Sequence, residues 1–596
     1  MSYRAPLNDI RFALNQIAGL PELVNPGKIA DLDADLVNAV LDEAGKFAEE
    51  RIAPLNRPGD ERGAVLKDSE VTFPDGWKDV YDDWVEGGWC ALPGPKDFGG
   101  QHLPVSVSMA CVEIWNSACM SFALNPLLTQ AAVNALNKFG SDELKATYLE
   151  KMVQGQWTGT MQLTEPQAGS DLNALKARAV PRDDGTYRLH GTKIFISYGE
   201  HALTENIIHM VLARTPDAPA GTRGISLFLA PKFLLDENGN PGPRNDIICS
   251  KLEHKLGIHA SPTCVLNFGE NDGAVGWLVG EENRGLQAMF TMMNEARLAV
   301  GIQGVAIAER ATQQAIAYAN ERRQGRSEDA GAQDMVPIVD HPDIRRSLLT
   351  MRSKTAAARA ICYVTASALD HSRYAEEAQA RQAAAHKTSL LTPVAKAFST
   401  DIGVEVASDN IQVHGGMGYM EETGAAQLLR DARIAPIYEG TNGIQAIDLA
   451  VRKLPLEQGR IVSEFLSELS QIVDEVKTTN RPEFGNMGEN LREALELLET
   501  ATRWMLDKLP GSADLALAAA TPYLRLFGLA SGGILMAQGV LNATREEGSG
   551  NQNLVHLARY FAEHVVPDSR GLVRKITDGS EIVLAEQGKD LVRETV

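Results

Sequence analysis

The feature that most constrains this chain is a change in the period of its hydrophobic pattern. From about Gly159 to Gly280, short β-type runs follow one another: TGTMQLT, ARAVP, TYRLHGTKIFI, IIHMVLA, GISLFLA and CVLNF. On both sides of this stretch the apolar residues recur at helical spacing. Leu286, Met289, Phe290 and Met293 share one helix face, for example. Asp184-Gly185 stands between ARAVP and TYRLHGTKIFI, a dipeptide that favours a tight hairpin. The pattern therefore predicts a mainly α chain with an inserted, mostly antiparallel β-domain.

Helical character also marks the first stretch, to about Pro58, where Asp31-Leu32-Asp33 offers a cap for the helix that follows. Two or three further helical segments fall in residues 77–157, broken by the loop LPGPKDFGGQHLP. After the β-stretch, GRSEDAGAQDMVPIVDHPD reads as an exposed loop, and a helix is expected from near Pro393 to the glycine-rich HGGMGY. From about Pro455 onward the apolar stripe Val462, Phe465, Leu466, Leu469, Ile472, Val473 and Val476 predicts an added helical unit. A second stripe, Leu491, Ala494, Leu495, Leu498 and Met505, supports it. The expected division is an arm over 1–36, a helical domain over 37–158, a β-domain over 159–280, a helical domain over 281–450 and a helical extension over 451–596.

A chain of 596 residues is too long for one core, which agrees with several domains. Its formal charge of −21 argues against non-specific binding to nucleic acid or anionic membrane. Cys90, Cys111, Cys119, Cys249, Cys264 and Cys362 show no CxxC spacing, so neither a metal site nor a disulfide framework is expected. The opening MSYRAPLNDIRFAL lacks a basic region followed by an apolar core, so no secretory signal is expected and a cytoplasmic location is. The weakly polar run Leu526–Leu541 carries four glycines, a serine and a glutamine, and reads as a buried helix rather than a membrane span. No G-x-G-x-x-G opens a strand–helix unit and no GxxxxGK[ST] occurs, so neither a Rossmann nor a P-loop site is indicated.

Four segments carry candidate chemistry. The loop Met161–Asp171, rich in turn formers, can aim N–H groups and hydroxyls at a polar ring edge or a phosphate. In Lys193-Ile194-Phe195-Ile196-Ser197, an aromatic and a hydroxyl two apart point to one side of a strand. They suit a flat heterocycle, although a half-buried strand face explains them equally. Gln412-Val413-His414-Gly415-Gly416-Met417-Gly418-Tyr419 permits close backbone approach to a ligand, with a helix C-cap as the plainer reading and His414 as a structural histidine. Tyr438-Glu439-Gly440-Thr441 places a carboxylate at an irregular turn. Alone, Glu439 reads as a solvent-facing residue near a helix start.

Together these segments resemble the acyl-CoA dehydrogenase family. LTEPQAGSD, KIFIS, EHKLGIHASPT with GWLVGEENRGL, MMNEAR, NERRQG, QVHGGMGY and LLRDARIAPIYEGTNGIQ occur in the family's order over roughly residues 37–450. The resemblance implies a helical N-domain, a β-barrel-like middle domain and a four-helix C-domain, with FAD as cofactor. It implies that Leu163, Thr164 and Ser170 contact flavin or pantetheine, and that Phe195 and Ser197 stack on and hydrogen-bond to the flavin. Asn294, Arg297, Tyr438 and Gly440, with Ser170, match substrate positions. Arg322, Gln412, Gly416 and Thr441 match positions holding the adenosine and pyrophosphate, some from a neighbouring subunit. Two departures stand out: NERRQGR lacks the family's phenylalanine, and Gly443 replaces a larger residue.

The implied reaction is α,β-desaturation of an acyl-CoA thioester, with Glu439 taking the α-proton while a hydride leaves Cβ for the flavin. In the family, the backbone N–H of the catalytic glutamate helps to stabilise the enolate oxygen, as an oxyanion hole does. The long tail and the opening residues resemble a long bacterial subfamily. This makes 3-(methylthio)propanoyl-CoA the preferred substrate and a medium- or long-chain fatty acyl-CoA the alternative. The implied partners are an electron-transferring flavoprotein or another acceptor, and a second copy of the chain in a homodimer. An oxidase, an inactive flavoprotein and a DNA-binding flavoprotein on the same scaffold are the rival readings. Oxygen reactivity separates the first. The retained Glu439 weighs against the second, and together with the acidic charge it weighs against the third.

Overall fold

Two compact units, each assembled from separate stretches of chain, make up the fold. In this computed structural model, residues 3–24, 29, 32–326, 334–479, 481–546 and 552–593 are described. One unit comprises residues 1–45, 105–117 and 297–596, and the other residues 46–104 and 118–296. Helix α1 (Ala34–Phe47) begins after Asp33, whose Oδ1 accepts the Leu36 N–H at 2.8 Å; Asp31, also expected near this cap, lies outside the described residues.

The second unit holds helix α2 (Trp77–Glu86), the later part of α3 (Val105–Phe139) and α4 (Asp142–Val153). The chain passes between the units at residues 117 and 118, next to Cys119, an extended residue that interrupts α3. Ser141 caps α4 by accepting the Leu144 N–H, and Asp142 and Glu143 occupy the first turn, where the helix dipole favours them.

Twelve strands belong to this unit. β1 (Val65–Lys67) and β2 (Glu70–Thr72) form a hairpin. Eight others form one sheet: β3 (Trp157–Gln162), β4 (Arg178–Pro181), β5 (Tyr187–Ser197), β6 (Asn206–Ala213), β7 (Ser226–Pro231), β10 (Ile247–Leu252), β11 (Thr263–Phe268) and β12 (Ala274–Val279). β8 (Phe233–Leu235) and β9 (Pro241–Arg244) form a second hairpin. The sheet runs β10-β11-β5-β12-β7-β6-β3, with β4 paired to β5. Every pair is antiparallel except β3 and β6. β3, β6 and β7 are buried along their whole length, which explains the largely apolar runs of β6 and β7. Asp184-Gly185 makes the expected turn between β4 and β5, with Gly185 at φ +80° and the Asp184 carboxylate accepting the Thr186 N–H and hydroxyl.

The first unit is helical. It contains most of α5 (Gly285–Glu321), then α6 (Pro342–Tyr374), α7 (Ala378–His414), α8 (Asn442–Ile447), α9 (Arg460–Thr478), α10 (Met487–Lys508) and α11 (Ala513–Glu546). Both extension stripes read from the sequence are buried, on α9 and α10. The helix expected to start near Pro393 starts instead at Ala378, with Pro393 inside α7. Proline is favoured at helix starts because it lacks an N–H. Here the buried run Leu390–Thr400 outweighs one missing hydrogen bond. Of the expected loop 325–343, residues 327–333 lie outside the described set; Arg326 and Asp334 on either side are exposed.

The run Leu526–Leu541 is part of α11 and packs in the core. α11 and α3 are each long and apolar enough to cross a membrane, but the most apolar windows of the two are 89% and 94% buried within the fold. Glycine lets α11 approach α7 closely: a Cβ on Gly528 would lie 2.3 Å from the Phe398 ring. The extension is thus packed onto the four-helix region.

Candidate active site

One cluster of the expected site residues lies in the β-containing unit, on the loop after β3 and on β5. Between Lys193 and Ile196 the register of β5 against β11 shifts, so two residues of β5 oppose one of β11. Lys193 and Ile196 both remain buried, and Phe195 is turned outward at φ +60° with 59% of its surface exposed. The loop is tied to this strand by the Ile194 N–H donating to Thr164 O at 2.9 Å and by Lys193 Nζ donating to Leu163 O at 3.1 Å. Lys193 Nζ also donates to Glu165 Oε1 at 2.8 Å. Burial opposes the charge on Glu165. The Lys193 ammonium and the N–H groups of Lys176 and Ala177 nevertheless hold its carboxyl below the ordinary range. Burial brings Lys193 down to about 8, against the pull of Glu165.

The hydroxyls of Thr164, Ser170 and Ser197 make no hydrogen bond among the described residues, and Leu163 is half-buried beside them. An outward aromatic, three uncommitted hydroxyls and Gly169, with nothing within 4 Å of a would-be Cβ, fit a flat ring with polar edges. Asn294, on α5 in this same unit, is exposed.

The second cluster is the turn before α8 in the helical unit. Glu439 at φ +55° and Gly440 at φ +86° reverse the chain. Gly440 is required twice: by its φ, and because a Cβ there would sit 2.7 Å from Gln445 Nε2. Arg297 Nε and Gln445 Nε2 each donate to Glu439 O at 3.3 Å. Thr441 Oγ1 caps α8 by accepting the Ile444 N–H. The Tyr438 hydroxyl donates to Gln303 Oε1. Glu439 is left half-buried, and its backbone N–H donates to no atom of the described residues. Burial raises its carboxyl above the ordinary value, while the Arg297 and Lys396 cations pull it down. A carboxylate poised upward beside a free N–H can take a proton from carbon and stabilise the oxyanion that results.

The remaining expected residues of this unit lie on other segments. Gln412 ends α7 exposed, and Gly416 follows it with nothing within 4 Å of a would-be Cβ. Arg322 is exposed just past α5. Arg297 was expected at the substrate, yet its buried guanidinium faces Glu439 O and, at 3.9 Å, Asp448. His414 is a packing residue, stacked on Tyr318 at 4.2 Å. Sequence reading did not single out Lys193 with Glu165, nor Lys396, Asn442 and Gln303. The available signal was a lone lysine inside an otherwise apolar run, as in KIFI and PVAKAF.

Similarity to known proteins agrees with this geometry. The acyl-CoA dehydrogenase N-terminal domain matches residues 36–156, the middle domain 160–270 and the C-terminal domain 283–454. A region described as acetyl-CoA dehydrogenase C-terminal like matches 465–586. The chain belongs to the acyl-CoA dehydrogenase family and is an FAD-dependent oxidoreductase acting on acyl-CoA thioesters. A 3-methylmercaptopropionyl-CoA dehydrogenase of Ruegeria pomeroyi is 46% identical over 98% of this chain and 99% of its own length. A butyryl-CoA dehydrogenase of Syntrophomonas wolfei is 35% identical over 81% of this chain and 80% of its own. The crystal structure of Caenorhabditis elegans ACDH-11 in complex with C11-CoA has the same fold, with a TM-score of 0.78 and 22% identity over 96% of this chain and 95% of that one.

Proposed function

We propose that this enzyme desaturates 3-(methylthio)propanoyl-CoA to 3-(methylthio)acryloyl-CoA, with Glu439 as the base. The near full-length 46% identity to the Ruegeria pomeroyi enzyme supports the substrate. The observation that carries the base is Glu439 itself: a strained, half-buried carboxylate, raised by burial, on a turn locked by Arg297 and Gln445. Bound FAD supplies a two-electron acceptor for the hydride that leaves Cβ. Leu163, Thr164, Ser170, Phe195 and Ser197 hold its ring system, and Arg322, Gln412, Gly416 and Thr441 hold its adenosine and pyrophosphate. The protein's own part is to take the α-proton on the Glu439 carboxylate and to offer the Glu439 N–H to the thioester oxygen. Asn294, Arg297, Tyr438 and Gly440 complete the substrate side, Arg297 by holding the turn.

The chain pairs with a second copy, which the exposed apolar residues Met417, Tyr419, Met420 and Ile437 support, and passes electrons to an electron-transferring flavoprotein. Six free cysteines fit a cytoplasmic enzyme. Its parts are the arm at 1–36, the domains at 37–158, 159–280 and 281–450, and the extension at 451–596.

Anaerobic flavin bleaching with a panel of acyl-CoAs tests the substrate. The methylthio compound should bleach the flavin at the highest kcat/KM. A straight-chain fatty acyl-CoA that outperforms it reassigns the enzyme to fatty acyl-CoA oxidation.

A further inference from the structure

The mechanism so far leaves a fully buried lysine of the helical unit unused. Lys396 lies on α7 in the run Leu390–Thr400 and has no exposed surface. Full burial of an ammonium is costly and occurs where the group has a partner. Among the described residues its hydrogen-bond acceptor is Asn442 Oδ1, at 2.8 Å. Asn442 in turn donates to Ala397 O at 3.1 Å, Thr400 Oγ1 at 3.0 Å and Asp401 Oδ1 at 2.7 Å. Asn442 is the first residue of α8, three places after Glu439. The Lys396–Asn442 contact therefore ties the Glu439 turn to a helix that begins 61 residues earlier in the chain.

We propose that Lys396 is a positioning residue for the desaturation: it anchors the Glu439 turn through Asn442 and keeps a cation beside the carboxylate that removes the α-proton. The inference rests on reading Glu439 as the base. The charged groups around that turn come from several elements. Arg297 of α5 and Lys396 of α7 act on Glu439 with a favourable field, without Lys396 forming a direct ion pair to it. Tyr438 is its chain neighbour, its hydroxyl held by Gln303. Asp401 faces Lys396 from the same helix, and Asp448, Arg452 and Lys453 lie beyond Arg297. Burial lowers Lys396 to about 7; the Glu439 and Asp401 carboxylates oppose this fall and Arg297 adds to it. Lys396 and Glu439 thus sustain each other's charged forms, and an isolated carboxylate in the same place would ionise later.

The test uses the FAD-loaded enzyme with an acyl-CoA whose β-carbon is replaced by sulfur. Such a thioester can lose its α-proton but has no β-hydride to give, so absorbance of the bound enolate against pH reports the ionisation at equilibrium. Lys396→Met should move that curve upward by about one pH unit. Lys396→Arg, which keeps the charge, should stay with the unaltered enzyme. Should Lys396→Met fail to fold, Lys396→Gln carries the same comparison, because it keeps a donor for Asn442 Oδ1. A neutral variant whose curve overlays that of the unaltered enzyme overturns the proposal, whatever its turnover. Glu439→Gln is the control: if it still deprotonates the analogue, the base is wrong. An enolate that depends on Glu439 but is insensitive to Lys396 removes only the Lys396 role.

Discussion

Lys193 Nζ lies 2.8 Å from Glu165 Oε1, and neither side chain is more than 3% exposed. This ion pair spans 28 residues and joins β5 to the loop that carries Leu163, Thr164 and Ser170. Lys193→Met leaves a buried carboxylate with only the Gln167 amide and two backbone N–H groups. Removing one partner of a buried pair costs roughly 3–5 kcal/mol, and the remaining donors place this case near the lower end. Because Glu165 sits below its ordinary pKa, its stabilisation is complete above the ordinary carboxylate range and fades as pH falls through the folded value. The expected outcome is a lower urea midpoint near neutral pH and flavin lost on gel filtration. A variant that keeps both stability and flavin shows that the pair does not hold the loop.

Phe195 sits in the left-handed region while exposing most of its ring. A non-glycine residue there costs about 1 kcal/mol, and an exposed ring recovers little of it. Phe195→Gly should therefore leave the flavin-free protein as stable or slightly more stable, yet weaken FAD binding by about tenfold, the scale of one lost aromatic stack. Thermal midpoints of the flavin-free protein and FAD titrations measure the two effects separately. Unchanged FAD affinity in this variant removes Phe195 from the flavin site.

Glu439→Gln separates catalysis from stability. The base contributes about 10²–10⁴-fold, so anaerobic flavin reduction should fall by at least the lower figure while the protein keeps its flavin. Burial raises the Glu439 carboxyl, so this group binds a proton more readily in the folded chain than in the unfolded one. Its contribution is then most favourable below the ordinary value of 4.5 and declines as pH rises through the folded value. At neutral pH the glutamine variant should be more stable, and the gain should vanish in mild acid. A variant that is less stable at neutral pH contradicts the raised carboxyl.

How far the sequence foretold this molecule depended on how local each determinant is. β5 and its hairpin were legible because alternation and Asp184-Gly185 act within a few residues. β10 and β12 were not, since IICSKL and AVGWLV carry a lysine or a glycine in a weak pattern. The parallel pairing of β3 with β6 joins strands about 50 residues apart and leaves no local trace. Pro393 misled in the other direction, because a helix start and a buried helix interior look alike when judged by proline alone. In the site, Glu439 stood out only in the company of distant motifs. The contacts that shape it, from Arg297, Gln445 and Lys396, arise from packing of α5, α7 and α8.

The extension offers a test of whether it is an appendage or part of the core. α11 packs against both α6 and α7, and glycines make the contact: Gly532 faces Ala357, and Gly528 faces the Phe398 ring. Phe398 is fully buried and lies two residues from Lys396 on the same helix. Gly528→Val adds a branched side chain where even one Cβ would need the ring to move, and overpacking of this kind costs about 1–3 kcal/mol. The strain falls on α7, the helix that carries Lys396, whose ammonium bonds Asn442 of α8. The variant should therefore lose thermal stability and also show a reduced rate of flavin bleaching, although residue 528 lies in the added helical region. A loss of stability with an unchanged bleaching rate per folded, flavin-loaded molecule means that α7 absorbs the strain without disturbing the Glu439 turn. Phe398→Leu, which gives the valine room, should recover part of both losses if the clash with the ring is their cause.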